Sequence, residues 1–243
     1  MISEKIFAKS YISFWENHTP WLIDYCSGEK AIGKRMGKSI EIEENPRHVY
    51  INNIVATTHF KNISSDQFYP LEKSLQDSMP MIKLFSGRKW EDYSLTDNYR
   101  EIILIQTERL EGKFGTRVIH NPFFPGYGIM ANCSDDLISG TTLVEIKAQS
   151  ERQGRKPFRN EDFRQLLVYC ALNYLANQKF DIKTIQLFNP RIGRLWQSDI
   201  EEFVQLISNS TSAELFQSIG DFLTELSDPI DLDTGFSEFD IQS

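Results

Sequence analysis

The segment Leu143-Val144-Glu145-Ile146-Lys147-Ala148 constrains what this chain can fold into more than any other. Side chains alternate along a strand. Val144, Ile146 and Ala148 therefore make one wholly apolar face that has to be buried, while Leu143, Glu145 and Lys147 share the other. A carboxylate on that second face can hold a hard divalent cation. The lysine beside it can orient an attacking water or stabilise charge building on a phosphate. A metal site needs more than one carboxylate, and Ser134-Asp135-Asp136-Leu137-Ile138 lies just upstream. Ser139-Gly140 between the two segments reads as a tight turn, so a hairpin brings Asp136 to Glu145.

The surrounding pattern supports that hairpin. Ser94, Thr96 and Asp97 are candidate N-caps, and 98–111 reads as a helix with Tyr99, Ile102, Ile103, Gln106 and Leu110 at helical spacing. Strands are expected at 116–124, 128–138 and 141–148, then a polar, basic loop over 149–159 and a helix over 160–177. A short strand at 183–189, another at 194–197 and one or two amphipathic helices over 199–226 follow. Residues 1–90 are harder to read. Ile40 and Ile42 alternate, 47–57 is rich in Val and Ile, and Glu44-Asn45-Pro46 between them looks like a turn, so a hairpin is expected in an N-terminal β-containing region. The expected organisation is this region (1–90), an α/β domain with C-terminal helices (91–226) and an acidic tail (227–243).

Taken in order, Asp136-Leu137-Ile138, Leu143-Val144-Glu145-Ile146-Lys147 and a helical Gln165-Leu166-Leu167-Val168-Tyr169 resemble the PD-(D/E)xK nuclease superfamily, in its RecB-like branch that includes lambda exonuclease. The resemblance spans about residues 98–190. It implies a restriction-endonuclease-like αβββαβ core of α/β (α+β) class with a mixed sheet, and a Mg²⁺- or Mn²⁺-dependent hydrolase of phosphodiesters, most readily DNA. It implies that Asp136, Glu145 and the backbone carbonyl of Ile146 hold the metal, that Lys147 assists the water, and that Gln165 and Tyr169 brace the site. The motif's proline is missing. Asp135 stands in its place, which leaves open which aspartate is the ligand; Asp136 is preferred because Leu137-Ile138 continue the strand. Some members add an acid or histidine from an earlier helix. Glu108 is the candidate here, Glu101 the alternate, and His18 and His120 are weaker ones.

Basic residues cluster near this constellation. Arg152, Arg155, Lys156, Arg159 and Arg164, with Arg191 in Asn189-Pro190-Arg191-Ile192-Gly193, are candidate phosphate contacts. The net charge of −8 does not contradict this. Eleven of the 34 acids lie beyond Arg194 and all 26 Lys and Arg lie at or before it, so residues 1–194 carry 26 basic against 23 acidic side chains. Gly28-x4-Gly33-Lys34 and Gly37-Lys38-Ser39 approach a phosphate-binding loop, but each lacks a required residue and strand-like Ile40-Glu41-Ile42 follows where a helix is needed. Three distant cysteines without a CxxC pair exclude a disulfide framework, and no iron–sulfur cluster is implied. No run is apolar enough to span a membrane, and the first ten residues do not read as a signal peptide, so a cytoplasmic location is expected. Two other functions fit the same residues: a catalytically inactive nucleic-acid-binding or assembly subunit, and an RNA or tRNA nuclease. A DNA-processing or antiviral defence role, a partner subunit and a homodimer are expectations by analogy with where such domains occur.

Overall fold

The computed structural model describes residues 1–149 and 156–227. The N-terminal third is mainly helical. Helix α1 (Glu4–Ser10) starts where the Ser3 hydroxyl accepts the Ile6 N–H at 3.3 Å, and it buries Phe7 and Ala8. Helices α2 (Ile12–His18) and α3 (Leu22–Ser27) add Phe14, Trp15, Leu22 and Cys26 to the same core. The chain then enters the sheet as β1 (Lys34–Arg35). Gly33 makes that entry possible. Its φ is +72°, and a Cβ there would sit 2.3 Å from the Leu195 carbonyl oxygen.

The expected hairpin across residues 38–57 does not form. The Val/Ile-rich run belongs to helix α4 (Val49–Ser65), followed by α5 (Leu71–Phe85). β-branched residues favour strands only weakly when packing points elsewhere. Here Ile51, Ile54 and Val55 lie at helical spacing and pack with Leu71, Ile82 and Ile103 in a core of their own. Ile103 belongs to α6 (Asp97–Phe114), whose first turn is capped by the Thr96 hydroxyl. This helix matches the one expected at 98–111.

Two of the expected strands are broken into short pieces: β2 (Ile119–His120) and β3 (Phe123–Phe124), then β4 (Cys133–Ser134) and β5 (Leu137–Ser139). Pro122 and Pro125 interrupt the ladder because they have no N–H to give. Strands β3 and β4 pair as a separate ribbon. The rest follows the sequence reading closely: β6 (Thr142–Ile146), α7 (Asn160–Leu175), β7 (Thr184–Asn189), β8 (Arg194–Asp199), α8 (Ile200–Ser208) and α9 (Ser212–Glu225). Gly140, at φ +59°, makes the tight turn between β5 and β6.

The sheet is mixed, with six strands in the order β1-β8-β7-β6-β5-β2. Strands β6 and β7 run parallel and the other neighbours antiparallel. Both faces are covered. Leu143, Ile185 and Leu187 pack with α7, α8, α9 and the first three helices. Val144, Ile146 and Phe188 pack with Phe60 of α4 and Leu110 of α6. Residues 1–90 thus share cores and a sheet with the segment that follows them. No helix among the described residues is long and apolar enough to cross a membrane. Apart from Ser227, the acidic tail lies outside the described residues.

Candidate active site

The turn between β5 and β6 folds the two acid-bearing segments together. Leu137 pairs with Val144 and Ile138 with Leu143. Asp135, Asp136 and Glu145 then converge, each offering an oxygen within 4.8 Å of the others. Asp136 accepts the Ile146 N–H at 2.6 Å. The Lys147 N–H points to the opposite edge, donating to the Phe188 carbonyl at 2.8 Å. The N–H and C=O of one strand residue face the same edge, so the Ile146 carbonyl lies on the Asp136 side. Asp135 is 3% exposed, and neither of its carboxylate oxygens has a hydrogen-bond donor. Its carboxyl faces that of Glu145.

Three acids this close cannot all stay charged in a buried setting. Burial, then the neighbouring carboxyl of Glu145, pushes Asp135 well above the usual carboxylate range. The same two causes raise Asp136 to about 7. Glu145 goes the other way. Burial works against its charge, but the Lys147 ammonium and a hydrogen bond from protonated Asp135 outweigh it. A buried carboxyl that receives no N–H from the protein and faces another acid, beside a third, is a donor set that a hard divalent cation satisfies.

Lys147 is the second half of the site. Its Nζ donates to Glu145 Oε1 at 2.8 Å and to Gln165 Oε1 at 3.0 Å, and it pairs with Asp162 Oδ1 at 3.1 Å. Burial alone would favour the neutral amine, but Glu145 and Asp162 more than reverse that and raise the pKa. Gln165 passes the constraint on. Its Nε2 donates to the Tyr169 hydroxyl at 2.8 Å, and the Tyr169 ring stacks on Phe124. Asp162, Gln165 and Tyr169 lie three and four residues apart on α7, so they share one helix face. Asp162 was not anticipated from sequence. It sits in the first turn of α7, where its carboxylate accepts the Arg159 N–H at 2.7 Å, and an acid there reads as an ordinary helix start.

The site opens into a cavity of about 1040 Å³. Its lining also includes Lys5, Lys9, Tyr50 and Phe85 from the N-terminal helices and Arg47 from the turn before α4. Sequence reasoning missed these residues because the fold of residues 1–90 was misread. Lys156 and Arg159, expected as phosphate contacts, line the cavity. Lys156 donates to the Cys26 carbonyl, and Arg159 pairs with Glu161 at 2.9 Å. Arg152 and Arg155 lie outside the described residues.

Three assignments need correction. Arg164 is 4% exposed, its guanidinium over the Trp15 ring and bonded to the Ala8 carbonyl at 3.4 Å, because α1 and α2 cover that side of α7. Arg191 is buried in an ion pair with Glu44 at 2.5 Å. Glu108 and its alternate Glu101 are on the exposed face of α6, outside the cavity. The two histidines are likewise absent from the cavity wall: His18 packs on Phe14 and His120 on Phe60.

No protein-family model, no curated protein and no solved structure matches this chain.

Proposed function

We propose that this chain is a metal-dependent nuclease of the PD-(D/E)xK type that hydrolyses phosphodiester bonds, most readily in DNA. The observation that carries the reading is the arrangement around Lys147. An ammonium just past the end of a strand is fixed by Glu145 two residues before it and by Gln165, which Tyr169 braces in turn, beside a converging pair of aspartates. The order α6, β2, β5, β6, α7, β7, with β5–β6 antiparallel and β6–β7 parallel, supports a restriction-endonuclease-like core.

Asp135, Asp136 and Glu145 would hold Mg²⁺ or Mn²⁺, with the Ile146 carbonyl on the same side. Such an ion supplies Lewis acidity toward a phosphoryl oxygen and makes bound water a better nucleophile at neutral pH. The protein's own groups do the rest. Lys147 shares its N–H groups among Glu145, Asp162 and Gln165, so its charge is held in one direction before substrate arrives. A phosphate oxygen entering beside Glu145 meets a positive charge that needs no reorganisation, which is where such electrostatic stabilisation is strongest. Water adds to phosphorus, the bond to one bridging oxygen breaks, and a phosphate monoester and a hydroxyl result.

The test is a cleavage assay with Mg²⁺ or Mn²⁺ on linear duplex, closed circular duplex, single-stranded DNA and RNA. Glu145→Gln and Lys147→Ala variants, checked for folding, run beside the parent. Metal-dependent cutting lost in both variants is expected. Undiminished cutting in both folded variants, or none by the parent on any substrate, would overturn the reading.

A further inference from the structure

We propose that the cavity admits a single-stranded polynucleotide, with bases stacked on Tyr50 and Phe85 and phosphates held by Lys5, Lys9, Arg47 and Lys89. This rests on reading the acid cluster as a phosphodiester-cleaving site, and it names the form of the substrate. All six residues line the cavity that contains Asp135, Asp136 and Glu145. They come from α1, α4, α5 and the short segments flanking α4 and α5.

One feature of this lining points to an unpaired strand, its accessible aromatic surface. Tyr50 is 39% exposed and Phe85 53%, and both line the cavity that the acids line. An aromatic face left open beside cations is how strands are held without sequence preference, because every base has a π-face to offer. Inside a duplex those faces are already stacked. Lys5 ties the two kinds of group together. Its Nζ lies 5.5 Å from the Phe85 ring centroid, and its charge reaches Asp136 and Glu145. A base on the Phe85 face that Lys5 does not cover would thus keep its phosphate near Lys5 and the acids.

The cations also answer a problem that the site itself creates. Ionised carboxylates at the site repel phosphate, and the cations that line the same cavity offset that repulsion along the strand.

Fluorescence anisotropy in EDTA tests this without any cleavage. The probes are a 15-nucleotide single-stranded DNA, the matching RNA and a blunt 15-base-pair duplex. The parent is expected to bind one or both single strands at least tenfold more tightly than the duplex. Tyr50→Ala and Phe85→Ala should each weaken single-strand binding by about tenfold, while Tyr50→Phe, which keeps the ring, should bind like the parent. Circular dichroism confirms that each variant folds. Preference for either single strand supports the proposal and identifies the sugar. Equal or tighter duplex binding, no binding of any probe, or parent-like affinity in both folded alanine variants overturns it. The two readings fail separately. Single-strand binding without metal-dependent cutting would leave this inference standing and remove the nuclease, whereas duplex cutting with no single-strand preference would do the reverse.

Discussion

Asp136 carries the sharpest consequence at the scale of single residues. Its pKa of about 7 means that the folded, metal-free chain holds a proton there that the unfolded chain releases near pH 4. The folded state then binds more protons than the unfolded state between those values, so stability falls as pH rises through that window. The contribution is fully present below the ordinary carboxylate pKa and is lost once pH passes about 7. Asp136→Asn removes the titration, and its amide oxygen can still accept the Ile146 N–H. We expect the variant without metal to melt a few degrees above the parent at pH 8 and close to it at pH 4.5, read by differential scanning calorimetry. A lower melting point at pH 8 would mean that Asp136 is not under electrostatic strain. Asp162 makes a second prediction. Asp162→Asn keeps the helix start but removes one of the two charges facing Lys147. With the ammonium less firmly held, kcat should fall about tenfold at nearly constant KM and with little change in melting point. A change in KM alone would assign Asp162 to substrate binding instead of positioning.

At the scale of elements, helix α7 separates the residues that face the site from those that hold the fold. Asp162, Gln165 and Tyr169 face the strands, while Arg164 is turned into the helices at the N-terminus. Arg164→Ala should therefore destabilise the protein by about 1–3 kcal/mol, through lost packing on Trp15 and a lost bond to Ala8. It should leave nucleic-acid affinity unchanged once the variant is folded. Arg47→Ala, on the exposed cavity wall, should do the opposite. Denaturant melts and anisotropy on the same two variants check both. Arg164 also shows where sequence reasoning stopped. It closes a run of sequence that carries Lys156 and Arg159, and nothing local says that α1 and α2 will cover it. By contrast, the 98–111 helix, the β5–β6 turn, strand β6, helix α7 and strand β7 were legible, because each is fixed by short-range periodicity, a turn glycine or a capping residue. The hairpin that brings Asp136 to Glu145 and Lys147 followed from those elements, whereas Gln165 and Tyr169 were expected at the site only from the resemblance. Helix α4 was not legible. Its Ile and Val content suggested strands, and only contacts with α5 and α6 decide otherwise. Glu108 failed for a related reason: helical spacing defines a face, but not which way that face turns.

At the scale of the whole molecule, the acids come from the β4–β6 segment and the cations that line the same cavity from helices and turns well before it in the chain. Filling the site should therefore stabilise the entire fold. A ligand that binds only the folded state adds about 2.7 kcal/mol at a hundred times its Kd. For a chain of 243 residues that corresponds to a rise in melting temperature of roughly 5–10 °C. Protons compete with the cation for Asp136, so the rise should be small at pH 5.5 and large at pH 8, bracketing a pKa of about 7. A thermal melt series with Mg²⁺ and Mn²⁺ at both pH values, for the parent and for Asp136→Asn combined with Glu145→Gln, separates specific occupancy from a general salt effect. General screening would shift parent and variant alike and would not depend on pH in this window. Occupancy of the acid cluster would shift the parent alone, and mainly at pH 8. A parent that gains nothing from either ion at pH 8 would leave three mutually repelling carboxyls without a physical reason to be there, and the metal-dependent reading would fall with them.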